Sequence, residues 1–141
     1  MEQPDGSFLD ERNRRPPLKI HVYAIAKDEA KFAARFAASC EGADGVHVLD
    51  TGSADATVAI LREHGVHVEE AAISPWRFDV ARNRSIELVP ADADVCLSID
   101  LDEVLVPGWR RIVEDAWAPG TTILHYRYVW QFVAGRPHHT F

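Results

Sequence analysis

Short apolar runs alternate along this chain with stripes of helical period, an order that restricts the fold to helices layered on a mostly parallel sheet. Leu18 to Ala26, rich in Ile, Val and Tyr, reads as a buried strand that stops at Lys27, Asp28 and Glu29. Phe32, Phe36 and Cys40 then recur at helical steps with Ala33 and Ala37 beside them, and the stripe closes at Gly42. Val46 to Leu49 predicts a second strand. Past the turn at Thr51 and Gly52, Ser53 is placed to cap a helix that carries Asp55 in its first turn and ends at His64 and Gly65. Val66 to Val68 predicts a third strand. Pro75 and Trp76 lead into a helix over Phe78 to Val89 that Pro90 stops, and Val95 to Ile99 predicts a fourth strand.

Trp109, Ile112, Val113, Ala116 and Trp117 form the clearest amphipathic stripe in the chain. After Gly120, residues from Thr121 to Val133 alternate apolar and polar, which predicts one long strand followed by a turn. Residues 1–17 show no hydrophobic period and read as a tail, leaving 18–141 as a single domain. With 141 residues, of which 47% are hydrophobic, the chain is large enough to fold around one core. No internal repeat is visible.

A formal net charge of -7 argues against a nucleic-acid surface, which needs clustered Lys and Arg to neutralise phosphates. Cys40 and Cys96 stand far apart, without metal-ligand or disulfide-scaffold spacing, and both are expected to be buried, reduced thiols. The sequence contains no long apolar run of membrane-spanning length, and its N-terminus lacks the apolar core of a signal peptide. The expected location is the cytoplasm.

In open parallel sheets, ligands bind outside the carboxyl ends of the strands. Asp28, Asp50 and the pair Asp100 and Asp102 all follow predicted strands, so these acids are expected at one edge. An Asp after a strand is also a common turn former, and position alone does not separate the two roles for Asp28. Asp50 has the small residues Thr51, Gly52 and Ser53 after it, ahead of a helix N-terminus whose N–H groups favour anionic or polar ligands. Asp100-Leu101-Asp102 sets two carboxylates one residue apart at a strand end, a spacing that offers hard oxygen ligands to Mg²⁺ or Mn²⁺.

Four blocks, in order across Leu18 to Tyr128, resemble the inverting family 2 glycosyltransferases. Lys27-Asp28-Glu29 is similar to the K-N-E ending of that family's first strand, and Asp50 to Thr57 resembles its D-[DT]-G-S-x-D-x-T signature. Phe78-Asp79-Val80-Ala81-Arg82-Asn83 resembles the F-x-x-A-R-N block, and Asp100-Leu101-Asp102-Glu103 the D-x-D-E block. The resemblance implies an α/β fold of GT-A type, a mostly parallel sheet flanked by helices, shortened here in its acceptor half. It implies a nucleotide-sugar site of Asp28, Asp50, Arg82 and Asp100: Asp50 on base or ribose, Arg82 on base or diphosphate, Asp100 on ribose. Asp102 would hold Mn²⁺ or Mg²⁺, the donor would be a uridine diphosphate sugar, and an acceptor hydroxyl would receive the sugar with inversion.

That family draws its catalytic base from a segment beyond this chain's end, so the resemblance assigns no base here; Glu103 is the nearest candidate. A second subunit or a C-terminal half is the expected partner. Asn83 would support the loop, and Trp76 and Arg77 either edge the pocket or, for Trp76, pack in the core. His125, His138 and His139 lack helical metal-ligand spacing. The string Leu97 to Leu105 also resembles the nucleophile motif of haloacid-dehalogenase-type phosphatases, with Asp100 as nucleophile, but too little chain follows it for the rest of that fold. A nucleotidyltransferase would need a Gly-rich loop after the first strand, which is missing. A domain that binds a nucleotide or a partner without turnover shares every motif named above.

Overall fold

A computed structural model describes residues 17–140; apart from Pro17, the tail expected over 1–17 lies outside the described residues. The chain divides into two compact units, Met1–Pro107 and Gly108–Phe141. The first holds strands β1 (Ile20–Ala26), β2 (Gly45–Asp50), β3 (His67–Glu70) and β4 (Val95–Ser98), with helices α1 (Ala30–Ser39), α2 (Thr57–Glu63) and α3 (Phe78–Glu87) between them. All neighbouring strand pairs are parallel, in the order β3-β2-β1-β4. This is the α/β class expected, and its strand order reverses between β1 and β4.

Strand alternation sorts the two faces. Val22, Ala24 and Ala26 of β1 share one face with Val48 and Val68 and join Ala33 and Phe36 of α1 and Leu61 of α2 in the core. α3 lies on the opposite face: Arg82 donates to Ser98 Oγ at 2.8 Å, and Ser98 stands in register with Tyr23, whose parity is opposite to that of Val22. Parallel strands covered on both faces need crossover helices, and the three helices supply them.

The α3 face has one position with no room for a side chain. A Cβ at Gly45 would lie 2.7 Å from His21 Nδ1 and 2.9 Å from His47 Nε2. Gly45→Ala is therefore expected to destabilise the unit by roughly 1–3 kcal/mol through overpacking, read as a lowered urea midpoint. An unchanged midpoint would show that the rings yield freely.

Two expectations change within this unit. Cys40 is buried, which pushes its thiol up to about 11, but Cys96 is exposed, because β4 is an edge strand of the four-stranded sheet. Helix α2 begins at Thr57, and Ser53 does not cap it. Asp55 Oδ1 instead accepts from Thr57 N at 2.9 Å, while Asp55 Oδ2 accepts from Ala30 N at the start of α1. One carboxylate thus serves the first turns of two helices.

The second unit has helix α4 (Trp109–Ala116) and strands β5 (Val129–Val133) and β6 (Arg136–Thr140). α4 starts after Gly108, whose φ of 78° is left-handed, and carries the ion pairs Arg110–Glu114 and Arg111–Asp115 one turn apart. The long strand expected over Thr121 to Val133 is confined to its last five residues. A two-residue turn with positive φ at Ala134 and Gly135 folds β6 back on β5, pairing Val133 with Arg136 and Val129 with Thr140. His138 and His139, expected in a terminal turn, lie in β6. Among the described residues no helix is long and apolar enough to cross a membrane.

Candidate nucleotide-binding site

The loops that follow β1 and β4 flank the point where strand order reverses, which is where open α/β sheets form a crevice. Asp28 and Glu29 come from the first loop and Asp100, Asp102 and Glu103 from the second, with Asp50 at the end of β2 beside β1. These acids interact. Burial raises the Glu29 carboxyl above its ordinary range, and the neighbouring charges of Asp102, Asp100 and Asp55 raise it further. Glu103 is likewise raised, first by burial and then by Asp100 and Asp102, against the opposing pull of Arg82. The site therefore carries a concentrated negative field, and a guanidinium faces Asp100 within it.

That guanidinium belongs to Arg82, on the second turn of α3. Its Nη1 donates to Ser98 Oγ at 2.8 Å, its Nη2 lies 3.6 Å from Asp100 Oδ1, and its carbon sits 5.0 Å from the centre of the Phe78 ring. Phe78 and Arg82 are four residues apart and so share a helix face. Arg82 keeps 28% of its side-chain exposure, and Asp100 keeps 58%. The pair is open enough to exchange partners with a ligand, and a planar guanidinium is suited to paired hydrogen bonds with phosphate oxygens.

Asp50 is placed differently from what a ligand contact asks. It is fully buried, and both of its oxygens are committed to its own turn. Oδ1 accepts from Gly52 N at 3.0 Å and Ser53 N at 2.8 Å, and Oδ2 accepts from Ser53 Oγ. Asp28 then closes the adjacent loop. Its Oδ1 accepts from Ala54 N at 2.6 Å, while its own N–H donates to Ser53 Oγ at 2.8 Å. Asp28 has a φ of 52°, a left-handed conformation that Asp tolerates better than most residues. Thr57, fully buried, accepts from Glu29 N and donates to Asp55 Oδ1. The block from Asp50 to Thr57 is thus the clamp that joins the loops after β1 and β2.

The loop after β4 closes on itself. Glu103 Oε2 accepts from Asp100 N at 2.9 Å, and Glu103 N donates to Asp100 O at 3.0 Å. Leu101 between the two acids is fully buried in the core, which leaves Asp100 and Asp102 exposed on either side. The Asp102 carbonyl accepts from Arg35 Nη2 of α1 at 3.1 Å. Glu103, the nearest candidate for a base, has one oxygen engaged in this turn.

Among the described residues, no three His, Cys, Asp or Glu side chains converge in a geometry that holds a metal ion. Mg²⁺ at phosphate sites usually takes only one or two carboxylates and draws its remaining ligands from water and substrate oxygens. Exposed Asp102, in the field that raises Glu29 and Glu103, fits that pattern.

The structure brings Arg82, Asp100 and Asp102 to the reversal point and sets Asp28 and Asp50 beneath as loop organisers. Glu29, Arg35 and Ser98 are neighbours that the sequence patterns did not single out. For Glu29, the third residue of the Lys27-Asp28-Glu29 block, a signal was present; Arg35 lies on an exposed helix face, where periodicity says nothing. Trp76 is 55% exposed, which overturns the core-packing alternative for it.

No family model matches the chain. Over 89 residues the chain is 34% identical to a TPR repeat-containing protein of Synechococcus elongatus, a match that takes in 62% of this chain and 21% of that protein. The chain thus spans about a fifth of the length of the curated relative it matches. Among solved structures it is similar to the glucosyl-3-phosphoglycerate synthase of M. tuberculosis, at 23% identity and a TM-score of 0.49, over 62% of this chain and 36% of that one. Both likenesses take in a minority of the other protein.

Proposed function

We propose that this chain is the donor-binding part of a GT-A type glycosyltransferase and holds a nucleoside diphosphate sugar, with a divalent cation, at the carboxyl ends of β1 and β4. The observation that carries the reading is the Arg82–Asp100 pair beside exposed Asp102 at the reversal of strand order. Arg82 releases Asp100 and turns to the diphosphate, and Asp100 is freed for ribose hydroxyls. Asp102 holds Mn²⁺ or Mg²⁺, and Glu103 keeps the turn closed through Asp100 N. Asp50 and Asp28 fix the loop that presents Gly52 and Ser53. When bound, the cation offsets the negative charge that builds on the departing diphosphate. A uridine diphosphate sugar, reacting with inversion, is the donor that the four sequence blocks suggest.

Titration calorimetry of uridine diphosphate against the full chain, with and without Mn²⁺, tests this directly. The expected result is binding that Mn²⁺ strengthens and that Asp102→Ala weakens at least about tenfold, the loss of roughly 1.4 kcal/mol in cation-assisted affinity. Absence of binding to uridine, guanosine and thymidine diphosphates with either metal rejects the proposal. Binding without any release of nucleoside diphosphate from a sugar donor would favour a domain that binds without turnover.

A further inference from the structure

Three strands carry histidine on the α3 face at the amino-terminal end of the sheet, away from the acids. In register, His21 of β1 stands opposite Gly45, His47 of β2 opposite Tyr23, and His67 of β3 opposite His47. His21 Nδ1 and His47 Nε2 are 3.0 Å apart, with ring centres at 5.2 Å and planes inclined by 31°. The ring-centre distance exceeds the nitrogen contact by about two ring radii, so the rings meet end to end along one hydrogen bond. His67 stands edge-on to His47, with centres 5.7 Å apart. His21 and His47 are 8% and 9% exposed, and His47 Nδ1 is buried without a hydrogen-bond partner.

One hydrogen bond between two imidazoles accommodates one proton: one nitrogen donates and the other accepts. A second proton turns the accepting nitrogen into a donor facing a donor. It also places a positive charge in a poorly solvated spot beside two other imidazoles.

The surroundings offer the pair little compensation. β3 adds His67, a third imidazole, and Glu69, which is paired with Arg84 of α3 at 3.5 Å. β4 adds the neutral thiol of Cys96 opposite His21, and Glu87 of α3 is exposed. Asp92, in the turn before β4, feels His21 but is bound to Lys19 Nζ. Asp44 and Asp94 each accept from a backbone N–H at the start of β1 or just before it, Ile20 and Lys19 respectively.

We propose that the His21–His47 pair, pressed against Gly45 on the face that α3 covers, is an acid-sensitive joint that holds the amino-terminal edge of β1 and β2 while the His47 ring is neutral and loosens when that ring is protonated. Burial first, then the charges of His21 and His67, lower the His47 ring from 6.5 to about 4. The native state therefore binds fewer protons than the unfolded state between those values. The joint's contribution is complete above pH 6.5 and is lost as pH falls toward 4.

The test combines urea unfolding of the full chain and of His47→Gln between pH 7.5 and 4.5 with nitrogen-15 spectra of the native imidazoles over the same range. The native unfolding constant is expected to rise roughly 70-fold more than that of the variant, the ratio given by a shift from 6.5 to about 4. The His47 ring should stay neutral through pH 5 while the unfolding transition moves. Parallel pH dependence in the two proteins, within about twofold, overturns the joint. So does a His47 ring that titrates near 6.5, a readout that needs no folded variant.

Discussion

Asp50→Ala is expected to lower the unfolding free energy by about 3 kcal/mol, because it removes a fully buried carboxylate that accepts three hydrogen bonds from its own turn. Alanine leaves Gly52 N, Ser53 N and Ser53 Oγ without that partner, and its methyl group offers no acceptor in its place. The damage spreads along a chain of contacts. Ser53 Oγ also accepts from Asp28 N, and Asp28 in turn accepts from Ala54 N, so loss of Asp50 frees the clamp between the loops after β1 and β2. Asp50→Asn should fall between alanine and the native chain. Its carbonyl still accepts from Gly52 and Ser53, and its amide donates to Ser53 Oγ, which must then give up donating. Urea titrations of the three proteins measure the order directly. A stability of Asp50→Ala within about 0.5 kcal/mol of native would mean that the turn holds without its carboxylate.

Much of this arrangement is legible in the residue order. The alternation of apolar runs and helical stripes places every element of the first unit, and the acids after β1, β2 and β4 do gather at one end of the sheet. The inward turn of Asp50 was also readable in principle. Val46, Val48 and Asp50 alternate along β2, and Val48 is core, so Asp50 shares its buried face. Sequence spacing is silent on the register between parallel strands. The meeting of His21, His47 and His67 follows from that register and could not be read from one strand at a time. Edge position is also a property of the assembled sheet, which is why Cys96, in a run as apolar as its neighbours, is exposed. The alternation from Thr121 to Val133 describes which residues could line a strand face; a strand also needs a ladder, and the ladder with β6 takes in Val129–Val133.

Leu101→Ala should be among the most destabilising changes in the chain while altering no polar group of the site. Leu101 is fully buried in the cluster that includes Val22, Ala24, Ala26, Ala33 and Phe36. Truncation there loses transfer free energy and leaves a cavity, together about 3 kcal/mol for a site that relaxes partly. Leu101→Met, which keeps the volume, should cost less than about 1.5 kcal/mol. The site is affected through position. Asp100 and Asp102 are exposed on either side of this one anchored side chain, and their turn is otherwise held by the Glu103–Asp100 contacts and by Arg35 at the Asp102 carbonyl. If the anchor sets where the two carboxylates stand, Leu101→Ala loses Mn²⁺-assisted binding of uridine diphosphate even under conditions where it remains folded, and Leu101→Met retains it. Unimpaired binding in folded Leu101→Ala would show instead that Glu103 and Arg35 hold the turn without the core, making the leucine a packing residue alone.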